Sequence, residues 1–317
     1  MRMRHLLAGA LACALTLPLL AQGTGQVKTA DITERGLKPG DFPRWHEVVP
    51  NVYAYEEALA SGGQTLTTNS LIIVTTDGVV IVDGQETPAE GEALAAAIRK
   101  ITSQPVKYMI IASDHVDHVM ANPTLKAAWP EMTFISSPAS QKTMTNLKRE
   151  VIATELVADR RTLHVGGTEI QIINLGRGHT GGDLVVYLPA SKLLFMSELY
   201  TRYVFPPMIT GYPSEWIATV EKAQAMDVTW YIPGHGFTDA DAPTLKAGLA
   251  EFRSALERVV SEARRLRAAG ATCATEKDCP ANAQADWGPY ASWTLAKGQA
   301  PRALARVYME MDGKLPK

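Results

Sequence analysis

The sequence predicts an α/β protein in which two sheets pack face to face. Strands and helices alternate through two similar stretches, residues 48–160 and 161–270, the pattern of stacked α/β layers. Four short stretches bearing His or acid each follow a β-rich run, so the polar chemistry collects at strand ends. An apolar content of 46% with 20% charge is ordinary for a globular chain and excludes wholesale disorder.

The elements can be taken in order. Residues 24–45 are polar and rich in Pro and Gly, and read as a linker or an arm lying on the domain. Residues 52–56, 70–75 and 79–82 are β-rich, with the turn Thr76-Asp77-Gly78 between the last two. Gly62-Gly63 centres the polar stretch 58–68, read either as a mobile flap or as a plain exposed loop. A helix is predicted over 88–101, strands over 106–111 and 132–136, and a polar helix over 140–156. Residues 168–174 alternate as a half-buried strand does, and 183–188 with 192–196 read as a hairpin. An aromatic and Pro-rich loop, 200–212, leads to a helix over 213–225 and a short strand at 230–233. A long amphipathic helix over 241–268 and a last helix over 301–311 complete the chain. The expected division is a signal at 1–22, an arm at 23–47, the main domain at 48–270 and a C-terminal extension at 271–317.

The first 22 residues carry Arg2, Arg4 and an apolar stretch over 6–20, the pattern of a secretory signal, and the expected location is periplasmic or secreted. The formal charge of −2 becomes about −4 without the two arginines. A mildly acidic chain without a Lys/Arg cluster argues against a nucleic-acid partner and for a small-molecule substrate. No later stretch is apolar enough to span a bilayer, so no membrane partner is expected after signal removal. Cys273 and Cys279 are expected to pair as a disulfide in an oxidising compartment; half a zinc site is the weaker alternative.

The chemistry lies in four stretches: Ser113-Asp114-His115-Val116-Asp117-His118, Gly176-Arg177-Gly178-His179-Thr180-Gly181-Gly182-Asp183, Met196-Ser197-Glu198-Leu199-Tyr200 and Pro233-Gly234-His235-Gly236. Imidazoles and carboxylates at the end of a buried strand are costly unless solvated, paired or bound to a cation. Four of the seven histidines fall in these stretches, while His46 and His164 match no motif and read as surface or hydrogen-bonded residues.

In this order and spacing, with Asp83 in Val-Asp-Gly upstream, the stretches resemble the metallo-β-lactamase superfamily of zinc hydrolases. The resemblance covers about residues 48–240 and implies an αββα sandwich, two mixed β-sheets flanked by helices, with metals at one edge between the sheets. It implies a first metal site on His115 and His179 and a second on Asp117, His118 and His235, with Glu198 in the place of the usual Asp. The first His of the family's H-x-H-x-D-H is Ser113 here, and a hydroxyl is a poor zinc ligand. One firmly bound Zn2+ is therefore expected in the second site, with weak or conditional occupancy of the first; Asp114 is the neighbouring substitute donor. The same donors also suit iron or manganese.

The function that follows is hydrolysis of a small amide or ester, β-lactams among the candidates, by a hydroxide formed on the metal. Asp117 would orient it, and His115 and His179 would act as hydrogen-bond donors or general base. The loops at 58–68 and 200–212 are the expected cleft walls, with Arg202 either binding a carboxylate or solvated at the surface. The alternative is a non-catalytic relative that binds a metal or ligand through a degenerate first site.

Overall fold

A computed structural model describes residues 28–316; the signal-like residues 1–22 lie outside them. Strands β1 (Arg44–Val49), β2 (Val52–Ser61), β3 (Gln64–Thr75) and β4 (Gly78–Val82) form an antiparallel meander. The β2–β3 turn is Gly62-Gly63, with φ of 57° and 80°, the left-handed pair that a two-residue hairpin turn requires. Helix α1 (Pro88–Ile101) crosses over to β5 (Val106–Ile110), parallel to β4. The short helices α2 (Val116–Val119) and α3 (Asn122–Ala128) lead to β6 (Thr133–Ser136), and α4 (Pro138–Asn146) to the two-residue β7 (Glu155–Leu156). These seven strands make the first sheet in sequence order.

The second sheet holds β8 (Arg160–Val165), β9 (Thr168–Ile173), β10 (Val185–Leu188), β11 (Leu193–Phe195) and β12 (Trp230–Ile232), in the order β12-β11-β10-β9-β8. Helix α5 (Pro213–Gln224) makes the crossover from β11 to its parallel neighbour β12. Helices α6 (Ala242–Ala268) and α7 (Ala296–Met311) follow.

Side-chain parity sorts three apolar layers. Leu71, Ile73, Val80 and Val82 face Ile170, Ile172, Val186 and Phe195 between the sheets. Ile72, Ile81 and Met109 point the other way, onto Leu94 and Ile98 of α1. Leu194 and Tyr231 pack outward on Trp216, Phe252 and Leu256. The result is the expected αββα sandwich.

Several elements differ from expectation. Residues 58–68 are mostly strand, the long arms of the β2–β3 hairpin, and not a loop. The polar helix expected over 140–156 stops at Asn146, because the chain must turn back to pair β7 with β6. Strand β8 was not foreseen; it pairs with β9 around Gly166-Gly167. Strand β1 starts inside the expected arm, and Ala30 and Ile32 upstream are fully buried, with Ile32 N–H bonded to Thr65 O at 2.8 Å. Helix α7 starts five residues before Pro301, and its Ala303, Leu304 and Val307 join the core under α5 and α6. The C-terminal extension is thus built into the main domain. Cys273 and Cys279 form a disulfide. Among the described residues, no helix is long and apolar enough to cross a membrane.

Candidate metal centre

The site forms where parallel strands end together. Asp83 follows β4 and Ser113 lies just past β5, while Glu198 follows β11 and His235 follows β12. The carboxyl edge of parallel strands is where α/β proteins place ligands. Leu184 N–H bonds to Ala112 O at 3.0 Å and ties the two sheets at this edge.

Asp83 is the organiser. It is fully buried and holds a left-handed φ of 58°, a conformation Asp tolerates better than most residues. Its Oδ1 accepts Ala112 N–H at 2.7 Å and Ser113 N–H at 3.3 Å. Its Oδ2 accepts the Ser197 hydroxyl at 2.5 Å and lies 3.1 Å from His118 Nδ1. One carboxylate therefore fixes the first and third motifs together. His115 N-caps α2, which turns Asp117 and His118 inward from its first turn.

Glycines shape the last motif. A Cβ on Gly234 would strike the Ser197 backbone, and one on Gly236, which has φ of 84°, would strike Arg202 O. The backbone of the His235 loop can approach the Glu198 loop only with these residues.

Four donors converge. His235 Nε2 lies 3.3 Å from Asp117 Oδ2, 3.4 Å from Glu198 Oε1 and 3.4 Å from His118 Nε2, and His118 Nε2 lies 3.5 Å from Asp117 Oδ2. His235 Nδ1 donates to Thr67 O at 2.9 Å, which leaves its Nε2 lone pair facing the group. The Asp83 carboxylate, 3.1 Å from His118 Nδ1, favours the proton on that nitrogen. With both rings neutral, four acceptors face one another and none carries a proton. Donors about 2.0–2.1 Å from a tetrahedral zinc lie about 3.3–3.4 Å apart, so the spacing among Asp117, His118 and His235, and from His235 to Glu198, fits that ion.

The second group is His115, His179 and Glu198. His115 Nδ1 and His179 Nδ1 lie 3.1 and 3.0 Å from Glu198 Oε2. The Ser113 hydroxyl also donates to that oxygen. The Thr210 hydroxyl donates to His179 O at 3.2 Å, so His115 Nε2–H must be the donor to Thr210 Oγ1, also at 3.2 Å. Neutral His115 then presents its Nδ1 lone pair inward. The His179 ring packs edge-on against Trp216.

Without a cation these acceptors hold protons. Burial pushes His115 and His118 down. Glu198 beside the first outweighs this and raises it to about 9, and Asp117 and Asp83 beside the second raise it to about 10. Burial pushes Glu198 up, but His115, His179 and His118 hold it well below the usual carboxylate range. Both imidazoles sit above their unfolded value near 6.5, so they stabilise the metal-free fold fully below that pH. That contribution is lost as pH rises through 9 to 10. Zinc binding at pH 7.5 is accordingly expected to release about two protons, read from the buffer dependence of the binding enthalpy. Uptake with no proton release would contradict this.

Every donor that the resemblance implies lies in one of the two groups; the substitute donor Asp114 does not. It faces Ser140 and Thr143 of α4, and burial raises its carboxyl. Arg202 is not a surface residue: it is 1% exposed and donates to Phe237 O at 2.7 Å. Sequence reasoning gave no role to Thr67, Thr68 or Asn69. Thr67 O orients His235, Thr68 Oγ1 reaches Asp117 at 3.4 Å, and Asn69 holds Pro233 O and Gly236 O. The available signal was a Thr-Thr-Asn-Ser run inside a long strand. Asp183 also went unassigned. It accepts Thr180 N–H and the Thr180 hydroxyl, and burial raises its carboxyl to about 6 against the pull of His179.

A cavity of about 840 Å³ opens over the donors. Leu59 and Leu66 of the hairpin wall one side; Ile209, Thr210 and Tyr212 wall another. Leu295, Gln299 and Arg306 from the C-terminal segment close a third. Arg306 also donates to Gly211 O at 2.6 Å and Thr210 O at 2.8 Å, so α7 steadies the loop that holds His115.

The family model described as Metallo-beta-lactamase superfamily matches residues 63–235, more than half of the chain. The chain belongs to this superfamily. All four motifs of the metallo-beta-lactamase-like site fall within or at the end of that match. The metallo-beta-lactamase IND-1 of Chryseobacterium indologenes is 27% identical over 209 residues, covering 62% of this chain and 82% of the relative. The hydroxyacylglutathione hydrolase of Brucella anthropi is 26% identical over 200 residues, covering 61% and 73%. A metallo-beta-lactamase from Pontibacter korlensis superposes with a TM-score of 0.62 at 20% identity, covering 68% of this chain and 99% of that one. The fold of the superfamily and a metallo-hydrolase site thus agree with the geometry.

Proposed function

We propose that this protein is an exported zinc-dependent hydrolase acting on a small amide or ester. The observation that carries the reading is the convergence of Asp117, His118, Glu198 and His235, four buried acceptors within 4.8 Å of one another, with His235 Nε2 3.3–3.4 Å from the other three. Asp117, His118 and His235, with Glu198 Oε1, would hold the firm ion; His115 and His179 would hold the weaker one. A zinc bound here supplies a water acidified toward neutral pH and a Lewis acid for a carbonyl.

The chain's own groups do the rest. Asp117 sits at the cavity floor, where its carboxylate can orient a nucleophilic water while Thr68 fixes its rotamer. His115 and His179 face the same space and can donate to, or take a proton from, the reacting group. The hairpin and the 200–212 loop wall the cavity in which the acyl group would lie. The relatives named above are a metallo-beta-lactamase and a hydroxyacylglutathione hydrolase, both names for cleavage at an acyl carbon. Export is supported by the signal-like residues 1–22 and by the Cys273–Cys279 disulfide.

The test is a panel of β-lactams, acyl esters and thioesters against the protein as purified. Hydrolysis of one class is expected, lost on chelation and restored by zinc. Metal-loaded protein inert to the whole panel would favour a binding role.

A further inference from the structure

We infer that Ser113 and Glu198 are a paired exchange. Glu198 supplies to His115 and His179 the third metal donor that an H-x-H motif takes from its first residue, and Ser113 positions it. This rests on the metallo-hydrolase reading above and revises the weak first site that Ser113 alone suggests.

The Glu198 carboxylate spans both groups. Its Oε1 lies 3.4 Å from His235 Nε2, while its Oε2 lies 3.1 Å from His115 Nδ1 and 3.0 Å from His179 Nδ1. His179 Nδ1 is buried and, despite that proximity, has no aligned hydrogen-bond partner. The His179 Nδ1 lone pair is thus free to meet, together with Glu198 Oε2 and His115 Nδ1, an ion placed among them. A glutamate reaches one C–C bond, about 1.5 Å, farther than an aspartate, which lets one oxygen stay with the Asp117 group while the other meets the two imidazoles.

Ser113 is built around that oxygen. It is fully buried, its hydroxyl donates to Glu198 Oε2, and its Oγ accepts His115 N–H at 3.4 Å. The hydroxyl is thereby aimed at the carboxylate and held on the motif it belongs to. The fit is reciprocal. An imidazole at position 113 would extend toward the Glu198 carboxylate that the Ser113 hydroxyl touches, and an aspartate at 198 would reach about 1.5 Å less far toward His115 and His179. The first group then has three donors, two imidazoles and a carboxylate, a set found at catalytic zinc sites.

The test measures zinc per chain and site affinities for the full-length protein, E198D, S113A, S113H and S113H/E198D, with thermal unfolding to confirm that each is folded. The native protein is expected to hold about two ions and E198D about one. S113A should hold the first-group ion about 10–100-fold more weakly, the scale of a lost supporting hydrogen bond. S113H should lose that ion, and S113H/E198D should regain it. Two ions retained in E198D, a gain of metal in S113H alone, or unchanged affinity in S113A would overturn the inference. One ion in the native protein, unchanged in E198D, would overturn it and leave the hydrolase reading intact. A native protein that binds none would overturn both.

Discussion

Replacing His235 by alanine is expected to lower hydrolysis by at least about 10³-fold, the scale on which a single preorganised catalytic group is lost. His235 contacts two of the three other donors in its group through one nitrogen, Asp117 at 3.3 Å and Glu198 at 3.4 Å, and faces the third, His118. Its ring is not free to be replaced by another tautomer or rotamer, because Thr67 O holds Nδ1. Removing it leaves two carboxylates and one imidazole facing each other without the geometry for a tetrahedral ion. The fold should survive, since His235 sits beyond β12 and the core beneath it is apolar. Metal content and turnover should fall together while the circular dichroism spectrum is unchanged. Full activity in H235A would remove this residue from the chemistry.

The largest effect on stability is expected for Asp83→Ala, a loss of about 3–5 kcal/mol, the range for removing one partner from a buried charged network. Asp83 accepts from Ala112 N–H and Ser197 Oγ and stands beside His118 Nδ1, with no exposure. Its removal leaves three buried donors, the Ala112 and Ser113 N–H groups and the Ser197 hydroxyl, unsatisfied and an imidazole without its counter-charge. The left-handed φ of 58° adds strain for alanine that aspartate bears more easily. Because Asp83 also orients His118, metal affinity should drop by about 10–100-fold beyond the stability loss. Urea unfolding and zinc competition measure the two effects separately. A stability change under about 1 kcal/mol would show that the network is not what holds this edge of the sandwich.

Much of the fold was legible because its signals are local. Alternating strands, helical stripes and the turn Thr76-Asp77-Gly78 give the order of elements without tertiary information. The four motifs were legible for the same reason: each is a few residues long, and glycines beside His179 and His235 mark turns. What was hidden depends on contacts distant in sequence. The 58–68 stretch reads as loop because it is polar. It is strand because the side chains of Thr68, Asn69 and Ser70 meet Asp117, Pro233, Gly236 and Gly84, while the Thr67 carbonyl holds His235. Arg202 reads as a surface cation, yet the Phe237 carbonyl and the α6 side of the core enclose it. The two residues of β7 have no periodicity to detect; β6 alone defines them. Ser113 reads as a missing ligand, and its partner Glu198 lies 85 residues away. No local pattern could join a short residue in one motif to a long acid in another.

The central claim is that Asp117, His118, Glu198 and His235 hold a hydrolytic metal. Its most direct test is metal content of the protein purified without added metal, set beside hydrolysis before and after chelation. At least one equivalent of a divalent transition metal should survive dialysis, activity should vanish when it is removed, and zinc should restore both. A metal-free protein that hydrolyses its substrate at the full rate would contradict the claim.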